Sequence, residues 1–184
     1  MKTGLMFTAA TSLLLGACAS TPPPKVVVPA ISTAQAGSVN LASSSGSLVS
    51  GKLALRTMGN GVHLSGTVGG FAANGQHGIH VHEKGDCSAV DASSAGGHFN
   101  PAATVHGRAG SGAHHAGDMD NLVADAQGVA PVDIHLQGVT LGGGAANDIA
   151  GRALVVHLAP DDYRSQPAGN SGARVACGII TVVR

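Results

Sequence analysis

The sequence predicts an all-β sandwich or barrel, and three observations carry that prediction. Short β-prone runs alternate with turn residues from Gly37 to the end of the chain. Glycine is abundant, 28 of 184 residues, which suits many tight turns better than long helices. No window joins helical periodicity to helix caps. Aromatics are only 2%, with no Trp, so the core must be built from Val, Leu, Ile and Ala. The formal net charge is zero, which argues against a nucleic-acid partner held by a broad basic surface. Any attraction of a small anion must come from local charge placement.

Taken in order, residues 1–17 read as a short signal peptide. Lys2 gives a minimal positive start, Leu5 to Leu15 an apolar run, and Gly16-Ala17 a small-residue exit. The run is too short to span a membrane. Leu15-Gly16-Ala17-Cys18 resembles the lipobox of bacterial lipoproteins, in which the Cys becomes the lipidated N-terminus. Cleavage after Ala19 is the alternative, because Ala17-Cys18-Ala19 also fits the small-x-small rule, and it would leave a soluble periplasmic protein. Left unmodified, Cys18 would be an unpaired thiol in an oxidising compartment, which favours lipidation and a membrane partner through Cys18. After this Cys, residues up to 36 form a linker, with Thr21-Pro-Pro-Pro-Lys25 favouring extended geometry. At about 3.1 Å per residue it could hold residues 37–184 as much as roughly 50 Å from a lipid surface.

Strands are predicted near Ser38–Leu41, Gly46–Arg56, Gly61–Gly69, Gly75–Glu83, Leu122–Ala124, Val129–Leu136, Gly151–Leu158 and Val175–Val183. Asn60-Gly61 and Asn74-Gly75 mark turns between the early ones. Lys84 to about Asn121 is then an unusually long loop. Loops beyond about 15 residues without secondary structure are uncommon in compact domains unless functional or disordered. This one has few apolar residues of its own.

The stretch Gly78 to Asp118 holds the chemistry. His80 and His82 leave the same face of a strand while Val81 points to the other. Paired imidazoles make a half-site for a transition metal, copper and zinc alike. His98, His106, His115 and Asp118 follow from the loop. A lone His-x-His is weak evidence; so many candidate ligands in one stretch are not.

At these residues the sequence resembles the copper/zinc superoxide dismutases. The matching segments are Gly78-Ile-His-Val-His-Glu83, Gly96-Gly-His-Phe-Asn-Pro101, Val105-His-Gly107, His115-Ala-Gly-Asp-Met-Asp-Asn-Leu122, Leu154-Val-Val-His157 and the segment from Gly172 through Arg174 and Cys177 to Ile180. The resemblance implies an eight-stranded Greek-key β-barrel with long metal-binding and electrostatic loops. It implies one copper per chain on His80, His82, His98 and His157, and one zinc on His98, His106, His115 and Asp118. His98 would use both ring nitrogens, which requires loss of its second proton between two cations. The spacing from His115 to Asp118 matches the family, which leaves His114 exposed; His63, His77 and His135 read as structural or surface residues.

Asp161 matches the carboxylate that joins His80 to His106, with Asp162 one residue away as the alternative. Arg174 matches the arginine that draws in the superoxide anion. Cys87 and Cys177 match a disulfide whose closed loop of 90 residues would contribute roughly 4–5 kcal/mol by chain entropy. The activity implied is dismutation of superoxide to oxygen and hydrogen peroxide, with His98 gaining and delivering a proton as copper is reduced and reoxidised. Exported in this way, such an enzyme would protect the cell envelope. Family members include monomers and dimers, so a homodimer is compatible with the sequence. A metal carrier would need neither Arg174 nor the bridge, and a zinc hydrolase would need an incomplete zinc shell. Both alternatives fit these residues less well.

Overall fold

The computed structural model describes Met1 and residues 31–183. The predicted signal peptide, Cys18 and nearly all of the linker lie outside the described residues. Strands β1 (Ala36–Ser43), β2 (Ser50–Met58) and β3 (Gly61–Gly69) form an antiparallel meander. The short β4 (Gln76–His77) and β5 (Ile79–His82) precede the long loop. After it come β6 (Leu122–Val123), β7 (Val129–Gln137), β8 (Ala153–His157), β9 (Arg174–Ile179) and β10 (Thr181–Val183).

The main sheet runs β5-β8-β9-β1-β2-β3-β7, with β10 beside the start of β1. Neighbours β5–β8, β9–β1 and β3–β7 are not consecutive in the chain, so long connections cross over in the Greek-key manner. β4 pairs with β6, and β4 runs into β5 through Gly78 while β6 turns into β7. The amide of Asp125 donates to the carbonyl of Val129 (2.9 Å) across that turn. The two ends of the sheet order are thereby brought together and the all-β sheet curls into a barrel.

The sequence pattern explains the interior. In β2, Leu53 and Leu55 are buried while Lys52, Ala54 and Arg56 face solvent. Leu64, Ile79, Leu141, Ile149 and Leu154 are among the other fully buried side chains, each worth roughly 1.5–3 kcal/mol of apolar burial. β5 and β8 are buried on both faces throughout, and β9 is so from Val175 to Gly178. Ile79, Val81, Leu154 and Val156 point into the barrel. On the outer side, Ala153, Val155 and Cys177 pack with Ala92 and Ala95 of the long loop.

Two predicted strands are interrupted. Gly78 spends its hydrogen bonds on the end of β8 and just beyond it, its amide to Ala159 (2.9 Å) and its carbonyl to the amide of His157 (2.8 Å). Ile180 pairs with Gly151 and Arg152 instead of β1, which keeps its side chain in the core. The second strand also starts later than predicted, because Ser45 and Gly46 take positive φ in a turn closed from Ser47 to Ser44 (3.0 Å). The hairpin β2–β3 turns on Gly59-Asn60, one residue ahead of the expected Asn60-Gly61. Upstream of Gly37, Ser32 Oγ accepts from the amide of Leu141 (2.9 Å) and the amide of Ala34 donates to Leu141 (3.0 Å). The tail of the linker is thus strapped to the barrel. No helix among the described residues is long and apolar enough to cross a membrane.

Candidate metal centre

The centre stands on the outer face of β5 and β8. Alternation along β5 sends Ile79 and Val81 inward and His80 and His82 outward. His157 ends β8, where the register with β9 shifts between Val156 and His157. The long loop takes the free edge of β5. Val81 donates to Gly117 (3.0 Å) and accepts from Phe99 (2.8 Å), and Gly117 donates to Phe99 (2.9 Å). These bonds set His98 opposite His82 and Asp118 opposite His80.

Two four-residue groups result. His80, His82, His98 and His157 form one; His98, His106, His115 and Asp118 form the other; the ligand-type atoms of each group lie within 4.8 Å of one another. All of these residues are buried. His98 belongs to both. Its Nδ1 sits 2.8 Å from Asp118 Oδ1, so Nε2 is the atom left for the first group.

Each ring except that of His115 has one nitrogen engaged and one free. His80 Nε2 donates to Asp161 (2.8 Å), His82 Nδ1 to the carbonyl of Gly96 (2.9 Å) and His106 Nε2 to Asp161 (2.9 Å). His80 Nδ1, His82 Nε2, His98 Nε2 and His157 Nε2 are buried with no hydrogen-bond partner. His106 Nδ1 and His115 Nδ1 also lack one, although they lie 3.0 and 3.3 Å from Asp118. Those distances come without hydrogen-bonding geometry. Buried polar atoms are rarely left alone, and convergent lone pairs of this kind fit a cation.

Burial keeps four of the rings from taking up a proton. Burial, and then the neighbouring His98 and His157, hold His80 well below the usual imidazole range. Burial does the same for His82, outweighing its bond to Gly96. It lowers His157 to about 4 and pushes His115 down as well. Burial opposes ionisation of Asp118, but donation from His98 and from the amides of His115 and Gly107 holds it well below the usual carboxylate range. At neutral pH His80, His82, His115 and His157 are therefore neutral imidazoles and Asp118 a carboxylate.

Between Asp161 and Asp162 the structure discriminates. Asp161 is buried and spans His80 and His106, whereas exposed Asp162 caps a turn through Ser165 and Asn170. Arg174 lies half-buried at the start of β9, donating to the carbonyls of Ala92 (2.8 Å) and Gly96 (2.7 Å). Gly96 thus binds both Arg174 and His82. Cys87 and Cys177 form a disulfide, with Cα atoms 5.8 Å apart. His114, expected to be exposed, is half-buried and bonds Gly112; His63 meets Asp133 and His135 meets Asn60, all outside the centre. His77, expected to be structural, donates from Nδ1 to the carbonyl of His157 (3.1 Å). The carboxamides of Asn121 and Gln166 grip the backbones of Asp161 and His106. None of these three contacts left a sequence signal, because each joins residues far apart in the chain.

The profile of the family described as copper/zinc superoxide dismutase (SODC) matches residues 49–180. The chain belongs to the copper/zinc superoxide dismutase family. Superoxide dismutase (Cu-Zn) 2 of Aquifex aeolicus (strain VF5) is 42% identical over 135 residues, 72% of this chain and 79% of the relative. Superoxide dismutase (Cu-Zn) 1 of the same organism is 41% identical over 133 residues, 71% of this chain and 79% of the relative. A double mutant of a SOD-like protein from Bacillus subtilis matches with TM-score 0.71 and 35% identity, over 78% of this chain and 96% of that one. The chain is accordingly a superoxide dismutase with copper and zinc as its metals and superoxide as its substrate.

Proposed function

We propose that the chain dismutates superoxide at the cell envelope, with copper held by His80, His82, His98 and His157 and zinc by His98, His106, His115 and Asp118. One observation carries the reading: unpartnered ring nitrogens converge in two buried groups that share His98. The donor sets fit the metals, since four imidazoles suit copper and three nitrogens with one carboxylate suit a closed tetrahedral zinc. When bound, copper supplies one-electron chemistry in both directions, and zinc supplies a fixed positive charge beside His98.

The protein's own residues do the rest. Asp161 fixes the tautomers of His80 and His106 by accepting from the far nitrogen of each. His98 holds or releases a proton at Nε2 while Nδ1 stays on the Asp118 side, so a proton can be delivered at the substrate end. Arg174 keeps its charge where the carbonyls of Ala92 and Gly96 leave its guanidinium fixed, and it draws the anion toward that end. Export is supported by the Cys87–Cys177 disulfide. Attachment through a lipid on Cys18, after a signal peptide spanning residues 1–17, completes the proposal.

Metal analysis of the full chain tests it, with one copper and one zinc per chain expected and Cu(II) bound by nitrogen alone. Zinc in both positions with no dismutation after copper loading would sink it. Cys18→Ser should move the protein from membrane to soluble fractions, or block processing, without loss of activity. Mature wild-type protein that is soluble and begins at Ser20 would show cleavage after Ala19 instead.

A further inference from the structure

We propose that Gln166 is a positioning residue for His106, and through it for the zinc set; this rests on the reading of His106 as a zinc ligand. The amide of His106 donates to Gln166 Oε1 (2.9 Å), and Gln166 Nε2 donates back to the carbonyl of His106 (2.9 Å). A second bond from Nε2, to the carbonyl of Arg164 (3.2 Å), holds the carboxamide in its own loop. Both backbone groups of one residue are thus bound by one side chain, 60 positions away. This is the pairing that a neighbouring strand would supply, in a segment with no neighbouring strand.

The geometry has a counterpart running the other way. Asn121, from the long loop, donates from Nδ2 to the carbonyl of Asp161 (2.9 Å) and accepts from its amide (2.8 Å). Asp161 and His106 are joined directly, Oδ1 to Nε2 (2.9 Å). Each loop therefore sends one carboxamide to grip the backbone of the other loop's residue, and the two gripped residues meet side chain to side chain. His106 is restrained at both ends, its ring by Asp161 and its backbone by Gln166. With the backbone free, the ring could pivot about the Asp161 bond and move Nδ1 away from Asp118. Gln166 itself lies at the surface and offers the metal nothing directly.

The test uses the full chain loaded with copper and zinc and challenged with a graded chromophoric zinc chelator. Gln166→Met keeps length and loses the amide; Gln166→Glu keeps only an acceptor for the His106 amide. Residues that orient a ligand typically cost 10–100-fold in metal affinity, so Gln166→Met should weaken zinc retention about tenfold, with Gln166→Glu between it and wild type. The d–d bands after Co(II) replaces zinc should change in Gln166→Met, while the melting temperature of metal-free protein stays near wild type. Zinc retention within about twofold of wild type, or equal destabilisation of metal-free and loaded protein with unchanged Co(II) bands, would overturn the proposal. His106→Ala is run alongside. Full zinc retention there would instead refute the assignment of His106 to zinc.

Discussion

Adding one methyl group at Gly169 should disable both metal sets from outside them. A Cβ at this position would overlap Asp161 Oδ1 and lie 2.8 Å from His106 Nε2. Asp161 has nowhere to retreat. It is buried, Oδ1 already accepts from His106 (2.9 Å) and the amide of Tyr163 (2.7 Å), and Oδ2 holds His80 (2.8 Å). Gly169 also has φ +63°, and a left-handed conformation costs a non-glycine residue about 1–2 kcal/mol. Gly138→Ala isolates that contribution, since Gly138 has φ +72° and only open space where a Cβ would stand. Losing the two bonds at Oδ1 adds about 1.5–3 kcal/mol each, the usual value for hydrogen bonds to a charged group. Gly138→Ala should therefore lose about 1–2 kcal/mol and Gly169→Ala roughly 4–8. Denaturant unfolding of both variants gives the difference, and chelator challenge should show both metals released ~10–100-fold more readily in Gly169→Ala alone. If Gly169→Ala unfolds with Gly138→Ala and keeps both metals, Asp161 does not organise the centre.

Three further outcomes are expected. Arg174→Glu should keep both metals and lower kcat/KM ~10–1000-fold, with Arg174→Lys losing less; added salt should slow wild type and spare the Glu variant, and identical salt slopes would make Arg174 an ordinary surface residue. Removing the disulfide by Cys87→Ser and Cys177→Ser should cost roughly 4–5 kcal/mol for its 90-residue loop, read from denaturant midpoints; unchanged midpoints would refute the loop-closure argument. Acid should weaken the metal-free protein in a defined window. His157 titrates at about 4 when folded against 6.5 ordinarily, so below 6.5 the unfolded chain takes up a proton that the native state refuses. Stability is full above about 6.5 and falls as pH drops toward about 4, and His157→Gln should flatten that slope; a slope unchanged in the variant would contradict the burial argument.

Much of this architecture is legible in the sequence, and the reason is periodicity. Period-two alternation puts Leu53 and Leu55 inside, and it separates His80 and His82 from Val81. The grouping of His98, His106, His115 and Asp118 with them is readable only through the family motifs, because loop residues have no period. Spacing does not decide between Asp161 and Asp162, since both lie in one turn and only burial separates them. Least legible are contacts made to backbone atoms. Arg174 binds the carbonyls of Ala92 and Gly96, and Gln166 binds both groups of His106. A carbonyl is present at every residue, so neither the donor's identity nor its partner's reveals the pairing. The breaks at Gly78 and Ile180 are hidden for the same reason: both are decided by backbone groups at the two ends of β8 that take up theirs.

The outer face of β5 and β8 shows why the ligands and the loop need one another. A barrel's outer face is ordinarily solvated, yet His80, His82 and His157 are buried there because the long loop covers them. That loop brings mainly small or isolated apolar residues to the task, Ala92 and Ala95 against Ala153 and Val155, with Phe99 and Met119 reaching the main core. Its order must come largely from polar restraints, namely the bonds of Phe99 and Gly117 to Val81, the disulfide and the ring-to-carboxylate contacts. Burial by this cover lowers the pKa of His80, His82 and His157 and so keeps their nitrogens available as lone pairs. Those same lone pairs, buried without partners, are a penalty to the fold until a cation meets them. On the proposed assignment, metal binding at this face is also loop folding, because the cover that makes the imidazoles competent would be completed by what they bind.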